Sequence, residues 1–260
     1  MIRPLVFVFL FFCSTAHAQI RLSRLEIKEK EIYTILSTDI MVIDTLIVRD
    51  SATIKLNGDK KDNFIHTKVA IFGKGASIVG RGEDGSDGKE GIKGYTQQGP
   101  CKDGTRGLGA TGGSHGQDGV NLFLYFDKLT VNGTFRIDLS GGNGGDGGKG
   151  GEGGGGSSGT RVCVGGSGGN GGNGASGGNG GNGGTLTISC KECQDLRTFM
   201  STRLASRSFG GHYGIGGAGG QGGMSGLGVS GESAQDGKRG VRGVAGKDGV
   251  AGKNGGINFE

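Results

Sequence analysis

The sequence predicts a fold that is mostly β and polyproline II. A small stacked β base, solenoid-like or sandwich, receives glycine-rich polyproline II helical hairpins as inserts, and these form a bundle. Three observations predict it. Glycine holds every third position from 141 to 159 and again from 165 to 183. The 260 residues include 64 glycines but only two prolines and no tryptophan. Between the glycine runs, stretches rich in Ile, Val, Leu and Thr return in similar form.

A period of three fits neither an α-helix nor an ordinary strand, whereas a polyproline II helix has three residues per turn. Glycine at one or two of those three positions lets neighbouring backbones touch. Their amides and carbonyls can then satisfy one another, as buried backbone groups must. A flexible linker has no use for strict phase. Ordering so much glycine costs more backbone entropy than ordering any other residue. An apolar core alone does not offset that cost.

Taken in order, residues 1–18 read as a secretory signal. Arg3 is followed by the apolar run Leu5–Phe12 and the small-x-small site Ala16-His17-Ala18. Cys13 offers a lipoprotein alternative, but the bulky Phe12 before it disfavours that reading. Residues 19–33 carry many charges and read as an N-terminal arm. Residues 34–260 form one composite domain. Its β base comprises 34–81, 121–140, 185–209 and 257–260, and its glycine-rich polyproline II inserts are 82–120, 141–184 and 210–256.

The β base repeats itself. Ile47–Ile54 aligns with Ile71–Ile78, so that Ala52 matches Ala76 and Gly58 matches Gly82. Leu129–Leu139 is a looser copy and Thr185–Ser189 a partial one. Such repeats suggest stacked units, each covering the apolar face of the last. Each of the first two inserts loses phase near its middle, at Tyr95–Asp103 and Ser157–Val164. Each therefore folds back as a hairpin. The third turn is expected near Gly231–Asp236. The polar segment 194–210 reads as an irregular connector.

Motifs for chemistry are sparse. No phosphate-binding G-x-x-x-x-G-K-[ST] occurs. Gly142-Asn-Gly-Gly-Asp146 has the glycine and aspartate of calcium-binding β-roll repeats, but Gly148 stands where they need a large apolar residue. His66, His115 and His212 have no ligand spacing. Cys190-x-x-Cys193 lacks the two further ligands of a zinc site and a βαβ setting. The chain is read as non-enzymatic, with no cofactor and no metal. The net charge of +5 mixes both signs and forms no basic groove, so nucleic acid is not an expected partner. No transmembrane span is expected in the mature chain.

The run Gly237–Gly255 resembles bacterial collagen-like repeats, which use charged residues where animal collagen uses proline. The wider pattern is similar to glycine-rich polyproline II bundles, whose bearers include the snow flea antifreeze protein and the tail-tip adhesins of some phages. The resemblance covers about half of the mature chain and is local. It implies ordered rods and leaves function open.

Function is read as that of a secreted structural or adhesive surface protein whose rods present tip loops. Recognition is expected of Tyr95, Gln97, Gln98 and Lys102 in the first break, and of Ser157, Ser158, Thr160 and Arg161 in the second. The partner would be a protein or glycan surface. The alternatives are a subunit of a self-assembling extracellular filament or envelope layer, and an ice-binding protein. Four mature cysteines, Cys101, Cys163, Cys190 and Cys193, suggest two disulfides in a secreted chain, with three pairings open. Cys101 and Cys163 lie in the two breaks. Hairpins of similar length would bring them together at one end, which predicts Cys101–Cys163 at the tip and Cys190–Cys193 near the base.

Overall fold

The computed structural model describes residues 20–35, 40–193, 196–229 and 236–260. The signal at 1–18, the Cys13 question and all but the last residue of the expected third turn lie outside them.

The chain winds as a parallel coil. Odd-numbered strands β1 (Ile20–Ile27), β3 (Ile40–Val48), β5 (Asp62–Phe72), β7 (Asn121–Val131), β9 (Leu186–Cys190) and β11 (Ile257–Phe259) form one six-stranded sheet in that order. Strands β2 (Ile32–Thr34), β4 (Thr53–Lys55), β6 (Ser77–Val79), β8 (Phe135–Asp138) and β10 (Leu204–Arg207) form a second sheet of five. Each turn of the coil contributes a longer strand to the first sheet and a shorter one to the second. All strand pairings are parallel. The short helix α1 (Leu196–Arg203) precedes β10.

This architecture corrects the expected fold class. The regular structure is a parallel β-sheet fold, and the glycine-rich inserts enter it neither as strands nor as helices. The polyproline II and collagen-like descriptions give way with it. The physical reason is where the apolar side chains went. The buried core lies between the two sheets, and its aliphatic and aromatic members come from the strands and the corners beside them. Phe72 stacks on Phe135 at 4.1 Å between centroids and meets Phe126 edge-on at 6.2 Å, joining the sheets across the core. The N-terminal arm is also corrected. Residues 20–27 and 32–34 are strands β1 and β2, because Leu22, Leu25 and Ile27 turn inward while Arg21, Arg24 and Glu26 stay exposed. The connector after Cys193 contains α1 and β10 rather than irregular chain alone.

The 24-residue offset reappears as register: Ile47 pairs with Ile71 and Ile54 with Ile78. Ala52 and Ala76 are fully buried at the same corner. In the first four turns that corner holds a left-handed residue, Lys30, Ser51, Gly75 and Gly133. Glycine accepts that conformation without a Cβ clash.

A row of unpaired residues is stacked through the first sheet. Ser23, Asp44, Lys68 and Asp127 are each skipped in the register between their neighbours. The inward set therefore changes parity, from Met41 and Ile43 to Leu46 and Val48, and from Ile65 and Thr67 to Ala70 and Phe72. Because one residue is skipped on both sides of each pairing, the register is kept while each of these strands changes the face it turns inward. The three charged members, Asp44, Lys68 and Asp127, alternate in sign across neighbouring strands. Lys68 Nζ lies 2.8 Å from Asp44 Oδ1, and Lys191 Nζ lies 2.9 Å from Asp127 Oδ1. The ammonium groups of Lys191 and Lys68 hold the Asp127 and Asp44 carboxyls below the usual range.

All three inserts leave from the end of a strand of the second sheet and return to a strand of the first. They run between β6 and β7, β8 and β9, and β10 and β11. In a parallel coil this is the same corner of each turn, so the inserts stack in register as three layers of two arms.

Two outcomes are expected. A Cβ at Gly171 would overlap the Gly220 carbonyl group, whereas one at Gly58 would meet nothing within 4 Å. Gly171→Val should lower stability by about 1–3 kcal/mol or more, as overpacking does. Gly58→Ala should leave the calorimetric midpoint within a degree or so of the parent, a change of about 0.5 kcal/mol or less for a surface site. The two depressed carboxyls set a pH dependence. Their pKa values are lower folded than unfolded, so their contribution is present above the unfolded value and is lost as pH falls through the folded one. Thermal stability should therefore decline below about pH 4. The decline should be shallower in Lys68→Met/Lys191→Met, followed by circular dichroism.

Candidate functional site

The period of three is a record of hydrogen bonding. In the first insert, Gly82 donates to Ser140 at the foot of the second, and Gly85, Gly88, Gly91 and Gly94 donate to its Asn143, Asp146, Lys149 and Glu152, at 2.7–2.9 Å. In the second, Gly141 donates to Phe209 at the foot of the third insert, and Gly144, Gly147, Gly150, Gly153 and Gly156 donate onward to that insert, from His212 to Met224. Return arms are bonded likewise, as where Gly168 and Gly171 donate to Lys238 and Val241. The approach is so close that a Cβ on most of these glycines would overlap a carbonyl group.

The variable positions complete the pattern. Asp84 and Asp87 accept from the amides of Asn143 and Asp146 at 2.6 and 2.7 Å. Asn143 and Asp146 accept in turn from His212 and Ile215. Asn170, Asn173, Asn179 and Asn182 do the same for Val241, Val244, Val250 and Lys253. His115 is occupied in this way too, its Nδ1 accepting from Asn179. Short acceptors recur because each reaches one backbone amide of the next arm. No group of three or more His, Cys, Asp or Glu side chains able to hold a metal occurs among the described residues.

At the far end the first two turns are tied together. Cys101 and Cys163 form a disulfide with 6.1 Å between Cα atoms. Cys190 and Cys193 form the second, beside the β body. The Cys101 amide donates to Ser158, the Ser157 amide to Lys102, and Ser157 Oγ to the Gln97 carbonyl. Cys101 itself takes a left-handed conformation, at φ 60°. The third insert joins through Gly159, which donates to Leu227.

The expected recognition residues divide. Gln97, Gln98, Lys102, Ser158 and Arg161 are exposed around the disulfide. Ser157 and Thr160 are half-buried, Ser157 bonded across to the first turn and Thr160 within its own. Tyr95 stands apart from them, 69% exposed, on the wall of a groove of about 660 Å³. The groove runs over Gly153, Gly154 and Gly155, with Lys93, Tyr95 and Thr96 on one side and Gln221 and Met224 on the other. Lys93 Nζ is 2.9 Å from Glu152 Oε2, and this contact holds the Glu152 carboxyl below the usual range. Sequence reasoning missed Lys93, Glu152, Gln221 and Met224, and also Val162, which is 93% exposed at the tip. The available signal was Gly155, a glycine in the variable row that reads Asn143, Asp146, Lys149, Glu152.

No family model and no curated protein matches the chain. Among solved structures there is a match to the nine polyproline type II helical bundle springtail antifreeze protein from Granisotoma rainieri. It is 23% identical over 66% of this chain and 92% of that one, with a TM-score of 0.14. At that score the two are not structurally similar. The expected kinship with glycine-rich polyproline II bundles and collagen-like proteins is corrected accordingly. No helix among the described residues is long and apolar enough to cross a membrane.

The tip disulfide spans 62 residues of sequence. Cys101→Ser/Cys163→Ser should lose up to about 4 kcal/mol by the loop-entropy relation. Cys190–Cys193 closes a loop of only three residues, and its removal should cost distinctly less. Chemical denaturation of the two double variants checks the order.

Proposed function

We propose that this chain is a secreted, non-enzymatic structural or adhesive surface protein that holds a recognition tip away from its β body. One observation carries the reading: a disulfide joins two turns at the end of hydrogen-bonded arms, and exposed Gln97, Gln98, Lys102, Arg161 and Val162 cluster round it. Loops on an ordered scaffold commonly carry recognition. Cross-bracing by backbone bonds suits the arms to such a scaffold. Secretion rests on the amino-terminal signal and on cysteine pairs suited to an oxidising compartment.

Self-assembly through the glycine layers has less support. The amides of Gly210, Gly216 and Gly228 on the third layer donate to the side chains of Asn254, Asp248 and Asp236 of their own insert. On the first layer, Thr105, Thr111 and Ser114 accept from Tyr95, Lys89 and Ser86. Amides turned inward in this way do not template a further copy.

The test uses fluorescently labelled mature protein on intact cells and isolated extracellular matrix. Saturable binding is expected. The variant Gln97→Ala/Gln98→Ala/Lys102→Ala/Arg161→Ala should weaken it by about tenfold or more, as truncated hot spots do. Equal binding by parent and variant would overturn the tip as the recognition end.

A further inference from the structure

The groove beside the tip contains a glycine that packing does not require. Gly153, Gly154 and Gly156 are held so close to neighbouring backbone that a Cβ would overlap it. A Cβ on Gly155 would meet only Thr96 Oγ1, at 3.1 Å, and the Met224 carbonyl oxygen, at 3.9 Å. The first is the end of a small side chain that can turn away. Gly155 also stands where this arm elsewhere carries Asn143, Asp146, Lys149 and Glu152. The effect of Gly155 is therefore on the surface: it leaves the groove floor as bare backbone.

The walls have a definite chemistry. Tyr95 and Met224 are 69% and 67% exposed and face a common floor, so two apolar side chains stand in solvent beside a flat surface. The polar groups are mixed donors and acceptors: the Thr96 hydroxyl, the Gln221 amide, the Lys93–Glu152 pair and Arg239. Lys93 and Glu152 largely neutralise each other and Arg239 adds one positive charge, too little for the strong single-signed field that selects a polyanion. A flat ligand with C–H faces and many hydroxyls matches this set. The aromatic ring and thioether cover its C–H face, and the amide, ammonium and carboxylate bond its hydroxyls.

We propose that this groove binds a sugar ring of a surface oligosaccharide, laid on the Gly153–Gly155 floor against Tyr95. The proposal rests on the reading of this end of the molecule as the recognition end, and names its ligand class. The volume, about 660 Å³, lies in the range of small-ligand clefts.

The experiment screens the disulfide-intact mature protein on an array of animal, plant and bacterial oligosaccharides. The best ligand is then titrated calorimetrically against four variants. Gly155→Leu fills the floor and should abolish binding, with its thermal midpoint near that of the parent. Gly155→Ala should retain most of it. Tyr95→Ala should weaken binding by about tenfold or more, the loss of roughly 1.4 kcal/mol, and Tyr95→Phe should restore it. The tip-loop variant Gln97→Ala/Gln98→Ala/Lys102→Ala/Arg161→Ala separates the two readings. Cell binding lost in that variant but unchanged in a folded Gly155→Leu protein would overturn the groove and leave the tip standing. No oligosaccharide bound by the parent would overturn the groove directly. Equal affinity of Tyr95→Ala and parent would do the same.

Discussion

The register of one parallel coil governs where everything else can be. A parallel strand cannot turn straight back on its neighbour, so every turn must pass the same corners in the same order. The three inserts leave from one of those corners in three successive turns. The topology of the coil alone therefore places them one above another. In-register stacking is also what lets bonds recur every third residue: Gly82 to Ser140, Gly141 to Phe209. Were a strand of the body to slip by one residue, its inward and outward side chains would exchange. A slip of β5 would take Phe72 out of the core and away from Phe126 and Phe135, and the inserts above would lose phase together.

Much of this was legible in particular residues. The offset linking Ile47 to Ile71 was visible because stacked turns of equal length put like side chains at like places. The phase breaks at Cys101 and Cys163 marked turns at one end, and the bond between them is present. The fold class was not legible, because glycine dominates composition while the fold is set by far fewer apolar residues. A period of three says how often two backbones bond and says nothing about the sheets beneath. β1 was hidden by Arg21, Arg24 and Glu26, whose charges belong to an edge strand with one face in water. The parity changes at Asp44, Lys68 and Asp127 broke the simple alternation that would have announced long strands.

The candidate site was legible in outline and not in its walls. Tyr95 was visible as an aromatic in a break. Met224 and Gln221 come from an arm more than a hundred residues away, and only layer stacking places them opposite. Gln97 and Ser157 meet for the same reason, through a bond between residues 60 apart in sequence.

The glycine layers leave little room for variation. In each triplet the bonded glycine is fixed by the carbonyl it faces. A short acceptor is favoured at the next arm's amide, and the remaining freedom is one side chain on the surface. Adding a large group there builds a ridge, as Ile215 and Met224 do. Removing the group where packing would tolerate one builds a hollow whose floor is held from both sides, since Gly153 and Gly154 beside Gly155 donate to Gln221 and Thr105. Such a hollow has its shape before any ligand arrives, so little ordering cost is left to binding. That makes Gly155 informative, because a functional surface in such a chain can be written by a missing side chain as well as by a present one.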